Sequence, residues 1–505
     1  MKNKRKAKAL SQFKVPRWTY ETDVVVLGFG YAGQATAMTA HDEGAEVLIL
    51  EKMDEKRSGG NSRVCGQFVF TPTNVADAVS YLTAMNGGLT VPEDMIEQWA
   101  TYMVENYTWF ERMGGNETML QEPLKAWSPE FPGMPGSHCC QGWWAKIPAG
   151  LWEFLKAKVI ERGIKVLYET RGRELIQDPI KKRILGVAAE RKGKKVYVKA
   201  KRAVVLCTGG FENDPQMIAD YLHLYHTCTR GTPYNTGDGI RMAQAVGADL
   251  WHMANQLAYL GFKPPEFDFG LKLSMTLGHS FIYIGADNRR FVNEQWPGTH
   301  HGKYERYGYW FPMLFPLPIH AIFDEKMRLS GPLNVDREPY APWGWDYQIG
   351  GYVWSDDSSV EIEKGWITKA DTIRELAQKI GRNPDALEET VNKYNEYCRA
   401  GVDPEFERGA NPGLGRVDAR LVPIDKPPFY AIEAKPQILN TQGGPRRNKH
   451  AQVLDTKSKP IPGLYSAGEI GSLYSDCYQG GGNVGECIAF GRIAGKRSAK
   501  EKPWK

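Results

Sequence analysis

The sequence predicts an α/β fold: a Rossmann-type dinucleotide-binding domain, discontinuous in the chain, with an α+β cap domain inserted into it. Three observations predict it. The chain opens on an apolar strand, a G-x-G-x-x-G turn and a helix. A second apolar strand, Ala203-Val204-Val205-Leu206, runs into Gly209-Gly210. After residue 434 strands and glycines return, beyond a stretch rich in proline and aromatic residues.

The first unit reads Asp23-Val24-Val25-Val26-Leu27-Gly28-Phe29-Gly30-Tyr31-Ala32-Gly33, and a second strand, Glu46 to Leu50, leads into Glu51-Lys52. Gly28 permits the tight turn, Gly30 admits a pyrophosphate close to the backbone, and Gly33 lets helix and strand approach. Tyr31 and Ala32 begin the helix, whose N–H groups and dipole favour phosphate. Glu51 suits a ribose 2′-hydroxyl and repels a 2′-phosphate, which disfavours NADP.

The 505 residues exceed one compact core, so two or three domains are expected. We read 1–20 as a flexible basic leader, 21–262 with 433–505 as the dinucleotide domain, and 263–432 as the cap. The net charge of +5 gathers largely in the tails, Lys2 to Lys8 and Lys496 to Lys505, which read as solvated ends. Nucleic acid and membrane insertion are not expected as partners. No segment has the length of a membrane span, and the start lacks an apolar signal core and a twin-arginine pair, so a cytoplasmic location is expected. The eight cysteines contain no C-x-x-C, which removes c-type haem and the usual Cys₄ metal spacing, and no metal is expected. Adjacent Cys139-Cys140 read as reduced thiols.

Along the chain, Ser58-Gly59-Gly60-Asn61-Ser62 forms a loop, and a helix starting near Pro92 places Met95, Trp99, Met103, Tyr107 and Phe110 on one core face. Residues 116–148 are a long irregular excursion with Trp127, Trp143 and Trp144, of the kind that often carries function. A helix from 149 leads to Lys165-Val166-Leu167-Tyr168 and to strands near 184–189 and 195–200. Within the cap, helices are expected near 371–380 and 385–398.

The C-terminal stretch specifies the dinucleotide. Ala467-Gly468-Glu469 follows a strand, and Tyr478-Gln479-Gly480-Gly481-Gly482-Asn483-Val484-Gly485 opens a helix expected to end near Gly495. A helix start can stabilise the charge that develops at the N1/O2 edge of a flavin. With Thr208-Gly209-Gly210, Asn235-Thr236-Gly237-Asp238-Gly239, Arg290-Phe291-Val292-Asn293-Glu294 and Thr441-Gln442-Gly443-Gly444, the chain resembles the fumarate reductase/succinate dehydrogenase flavoproteins, and within them the 3-ketosteroid dehydrogenase branch. The resemblance implies FAD, with Glu51 at the adenosine ribose, Gly59, Gly60, Asn61 and Ser62 along the flavin and pyrophosphate, Asp238 and Glu469 at the cofactor, and Gly482, Asn483 and Val484 presenting backbone to the flavin. Succinate dehydrogenases bond FAD through a histidine after the Gly-Gly loop; Asn61 to Cys65 contains none, so noncovalent FAD is expected.

The chain departs from the family where dicarboxylates are held. Gly298 replaces the proton-donating arginine, Asn440 a histidine, and Gly482-Asn483 a carboxylate-binding arginine. A dicarboxylate buried without those cations would cost several kcal/mol, so fumarate, succinate and aspartate are rejected. Tyr478 instead fits the carbonyl-binding tyrosine of the 4,5-desaturating ketosteroid enzymes, with the Gly482 N–H as second donor. The family's proton-moving tyrosine falls at Gly298, leaving His300, His301 and Tyr304 as nearby candidates. Fifteen tryptophans are about double the average share, consistent with an apolar pocket. The implied activity is α,β-dehydrogenation of an apolar cyclic ketone or related carbonyl compound, or the reverse ene reduction, with a separate electron acceptor or donor. The alternatives are a flavin oxidase or hydroxylase of an aromatic compound and an electron-transfer subunit without its own substrate.

Overall fold

The computed structural model describes residues 16–87, 91–115, 129–144, 149–275, 278–294, 302–306, 309–335, 352–409 and 420–504. In chain order the elements used below begin with β1 (Tyr20–Leu27), α1 (Tyr31–Asp42), β2 (Val47–Leu50), α2 (Gly60–Val64) and α3 (Glu93–Glu111). There follow β3 (Lys165–Leu167), β4 (Thr170–Gln177), β5 (Ile184–Arg191), β6 (Lys194–Leu206), α4 (Asp238–Ala245) and β7 (Gln256–Phe262). The last are β8 (Phe281–Ile284), β9 (Ile319–Asp324), β10 (Phe429–Thr441), β11 (Gln452–Leu454), β12 (Pro460–Ser466) and α5 (Gly482–Ala499).

The first sheet has the order β11-β12-β6-β1-β2-β3, with β5 paired to β6 and β4 to β5. β3, β2, β1, β6 and β12 run parallel, and Leu27 pairs with both Leu50 and Leu206, which in turn pairs with Ser466. Central parallel strands are covered on both faces, so Val24, Val25, Val26, Val204 and Val205 are buried without alternation. The register brings four strand ends level. The next residues of each, Gly28, Glu51, Cys207-Thr208 and Ala467-Gly468-Glu469, therefore share the carboxyl edge where open α/β sheets bind ligands.

Gly28 takes φ +102°, and a β-carbon on Gly33 would run into the Gly28 carbonyl oxygen. These two positions close the turn between β1 and α1. α1 packs against α5, which continues to Ala499 rather than stopping near Gly495. The reason lies in packing: a β-carbon at Gly495 would lie 2.8 Å from Thr39 Cβ, so that glycine serves close helix approach, not termination. α3 buries Met95, Trp99, Met103 and Phe110 as the periodicity predicts, while Tyr107 is half-buried against Trp143.

The second sheet has the order Leu271–Lys272, β7, β10, β9, β8, with Thr368–Ala370 and Cys228–Thr229 also on β10. It draws strands from both sides of the boundaries expected at 262/263 and 432/433. The pairing explains this: β10 runs from Phe429, opposite Asp324 and Ala370, to Thr441, opposite Gln256. Two helices, Ile373–Lys379 and Pro384–Ala400, cover this sheet near the expected positions. Within it, Arg290 and Glu294 form a buried bidentate pair (2.8 and 2.7 Å), joined by Asp403 and Arg408. The Arg290-to-Glu294 motif thus ties the segment after β8 to Asp403 and Arg408.

Candidate cofactor and substrate site

One cavity of about 470 Å³ runs along the carboxyl edge of the first sheet and on beneath the second. At one end Glu51 accepts the Phe29 N–H at 3.0 Å and the Met53 N–H at 2.9 Å. Burial raises its pKa, against which those two donors work. Beside it, Asp238 at the start of α4 pairs with Arg171 at 2.6 Å and Lys52 at 3.2 Å. Burial opposes ionisation of Asp238, but Arg171 and Lys52 prevail and hold it below the usual carboxylate range. Lys52 and Asp238 were expected here; Arg171 on β4, the second cation on Asp238, carries no local signal in the sequence.

Gly59 to Ser62 form the middle, not as the loop expected but as the cap and first residues of α2, which Gly59 enters at φ +102°. Ser62 Oγ accepts the Tyr31 N–H at 2.9 Å, so α2 caps the first turn of α1. The Tyr31 hydroxyl donates to Gln67 Oε1 at 2.6 Å. Asn61 reaches deeper: its Oδ1 accepts the Thr232 N–H at 2.9 Å, and its amide nitrogen faces Glu212 Oε1 at 2.7 Å and Glu469 Oε2 at 3.4 Å.

At the far end, Tyr478 lines the cavity, its ring 5.5 Å from that of Tyr474. Gln479 turns away, and its Oε1 accepts the Tyr81 hydroxyl at 2.8 Å and the Glu130 N–H at 2.9 Å. This anchors the irregular excursion against the Gly480-Gly481 turn. A β-carbon at Gly480 would lie 2.7 Å from Glu130 Oε1, which places that buried carboxylate on the cavity wall. Sequence reading singled out the excursion but not Glu130; a lone acid in an irregular segment has no spacing to mark it. Phe68, Leu257, Leu260, Leu273, Met275 and Phe281 make the surrounding wall apolar.

The cavity wall brings together Gly28, Gly30, Tyr31, Ala32, Glu51, Lys52, Gly59, Gly60, Asn61, Ser62, Thr208, Gly209, Asp238, Gly468, Glu469, Tyr478, Asn483 and Val484. Gly33, Gly210 and Gly482 stand outside it. A β-carbon at Gly210 would meet Thr441 Oγ1, a packing contact. One expectation is corrected in detail: the Gly482 N–H donates to Gln479 O at 2.7 Å, so it is engaged within its own turn. The first-turn donors that follow it in α5 belong to Asn483 and Val484. His300 and His301 lie outside the described residues, as do Gly298 and Trp127. Tyr304 lies on the strand Lys303–Arg306, of which only the backbone is described at that position.

The wall fits a polar, elongated ligand. Thr208 Oγ1, Asn440 Oδ1 and both amide atoms of Asn483 are buried without a partner among the described residues, and buried polar groups are nearly always hydrogen-bonded. Anionic groups suit the first turn of α1, and a ribose hydroxyl suits Glu51.

Comparison with known proteins agrees. The family model described as FAD binding domain matches residues 23–484. The 3-oxosteroid 1-dehydrogenase of Mycolicibacterium smegmatis is 28% identical over 94% of this chain and 96% of its own. The fumarate reductase (cytochrome) of Shewanella frigidimarina is 26% identical over 95% of this chain and 77% of its own. The crystal structure of 3-ketosteroid delta1-dehydrogenase from Sterolibacterium denitrificans shares the fold, with a TM-score of 0.77 at 24% identity over 95% of this chain and 100% of that one. Among the described residues no helix is long and apolar enough to cross a membrane. On the matched domain, the level strand ends and the cavity they frame, the chain belongs to the FAD binding domain family, as an FAD-dependent oxidoreductase of the class acting on CH–CH bonds.

Proposed function

We propose that the protein forms, or in reverse reduces, a C=C bond conjugated to the carbonyl of an apolar cyclic ketone or related compound. The observation that carries this reading is Tyr478 on the apolar end of the cavity whose other end is the dinucleotide edge. Bound FAD supplies two-electron chemistry at the substrate's β-carbon. Glu51 holds the ribose, Asn61 and Glu469 flank the cofactor's middle, and the Asn483 and Val484 N–H groups face its flavin edge. The Tyr478 hydroxyl donates to the substrate carbonyl oxygen, where negative charge grows as the α-proton leaves.

That proton is taken by a residue among His300, His301 and Tyr304. Support for this segment comes from Lys303, which donates to Asn255 Oδ1 at 2.6 Å and pairs at 3.0 Å with Asp476, two residues before Tyr478. Asn440 on the cavity wall and the Gly482-Asn483 helix start leave out two cations a dicarboxylate would use, so diacids are not substrates. The cofactor is held without a covalent bond, and acid precipitation releases it from the polypeptide. Electrons pass to or from a separate carrier, and free buried thiols such as Cys139, Cys140 and Cys207 suit a cytoplasmic location.

The test is anaerobic spectrophotometry of the FAD-loaded protein with a panel of cyclic ketones and enones. Bleaching of the flavin by saturated ketones, or recolouring of the dithionite-reduced protein by enones, is expected and fixes the direction. No response from any of them, or stoichiometric peroxide with an aromatic substrate, overturns the proposal.

A further inference from the structure

Behind the middle of the cavity lies a cluster the proposed reaction does not use. Glu212, behind the wall, is a buried acid, and Glu469, on it, is half-buried. The Asn61 amide nitrogen carries two hydrogens but faces three oxygens: Glu212 Oε1 at 2.7 Å, Leu439 O at 3.2 Å and Glu469 Oε2 at 3.4 Å. Asn235 donates to Glu212 Oε1 at 2.7 Å, and Thr441 Oγ1 lies 3.4 Å from Glu212 Oε2. Among the described residues neither carboxylate makes an ion pair.

The charges around the pair do not neutralise it. Glu486, on α5, is a further acid near Glu469, but Arg447 is bonded to it. Cys65 and Cys487, which also face Glu469, are thiols held protonated by burial. Arg230, one residue before the glycine that covers Asn61, is the cation on that segment and lines the cavity. Two carboxylates within reach of one amide and held by neutral donors alone, Asn61, Asn235 and Thr441 with Asn440 at Glu469, are the arrangement in which one proton stays with the acids. Burial pushes Glu212 up to about 7, and burial with the Glu212 charge pushes Glu469 well above the usual range.

We propose that Glu212 and Glu469 hold one proton between them and that this pair binds it more tightly when the neighbouring cofactor is reduced. Glu212 is then a positioning residue that acts through Asn61 and Glu469. The inference rests on the placement of FAD along Asn61 and Glu469, not on the identity of the substrate. In the step itself dithionite as titrant gives two electrons to the cofactor and is oxidised to sulfite, the cofactor takes one proton from water, and a second proton from water forms an O–H bond on the pair wherever it stands ionised. No other bond changes in the protein.

The test is the midpoint potential of the FAD-loaded protein across about one pH unit either side of 7. In wild type the slope steepens, by up to about 30 mV per pH unit, which is a tenfold change per pH unit for one proton in a two-electron couple. Glu212→Gln removes the extra slope; an identical slope in the two proteins overturns the proposal. Should that variant lose its cofactor, reduced-minus-oxidised infrared spectra of the unaltered protein decide. A protonated-carboxyl band that grows on reduction and shifts in D₂O is expected, and its absence overturns the proposal. Glu469→Gln separates the two premises. An unchanged flavin spectrum in that variant removes the cofactor placement, whereas a changed spectrum with wild-type slope removes only the shared proton.

Discussion

The two ends of the cavity are built in different ways. At the dinucleotide end, four parallel strands stop level, and the residues that line the wall directly follow each strand. The geometry there is a property of backbone: turns, helix starts and one acid held by N–H groups. At the opposite end, Tyr478, Glu130, Asn440 and Leu257 come from distant parts of the chain and meet through side chains. The contrast is between a wall fixed by turns whose glycines admit no β-carbon and a wall of side chains that can be exchanged one at a time.

The largest expected effect breaks the backbone end. Gly33→Val forces a β-carbon into the Gly28 carbonyl, and backbone has nowhere to yield. Loss of bound flavin is expected, read from the flavin-to-protein absorbance ratio; a yellow, wild-type-like protein would refute the rigidity claimed for this turn. Next, Arg447→Met strands Glu486, both being buried and joined to the loops at Gly468 and Ser472. A loss of about 3–5 kcal/mol is expected for an uncompensated buried charge, measurable by denaturant unfolding.

Tyr478→Phe probes the side-chain end. Turnover should fall about 10²-fold, the worth of one donor to a developing oxyanion, with flavin content unchanged. Unaltered turnover would sever Tyr478 from the chemistry. The smallest effect concerns His252, stacked on Trp251 and bonded through Nδ1 to Ser472 O at 2.7 Å. Burial pushes its pKa down to about 4 from 6.5. A folded value below the unfolded one means stability is complete above about 6.5 and declines as pH falls toward 4. His252→Gln should flatten that acid limb in melting temperature against pH.

The legible parts of the sequence were those where one turn carries the whole signal. Gly28 to Glu51 and Ala467 to Glu469 could be read because strand, turn and helix follow each other within a few tens of residues. The stripe from Met95 to Phe110 was readable for the same reason. The Arg171–Asp238 pair and the Glu212–Asn61–Glu469 cluster were not, because their members lie far apart in the chain and acquire meaning only through contact. Gly495 misled as a helix end, since a glycine buried between helices and a glycine that stops one look alike in a single chain. The Gly482 N–H misled likewise, because the carbonyl it satisfies belongs to the turn itself.

The 13-residue strand Phe429–Thr441 has a mechanical consequence. Fully extended it spans about 43 Å, hydrogen-bonded to β9 and to Thr368–Ala370 at one end and delivering Leu439 and Asn440 to the cavity wall at the other. Its one irregularity against β7 is a bulge at Leu439, where Leu257 pairs with Asn440 and Ala258 with Ile438, so a push on the distal end is taken up by the bend beside the cavity wall. Excising the cap as a block would leave the remaining half with a severed beam and an unroofed groove.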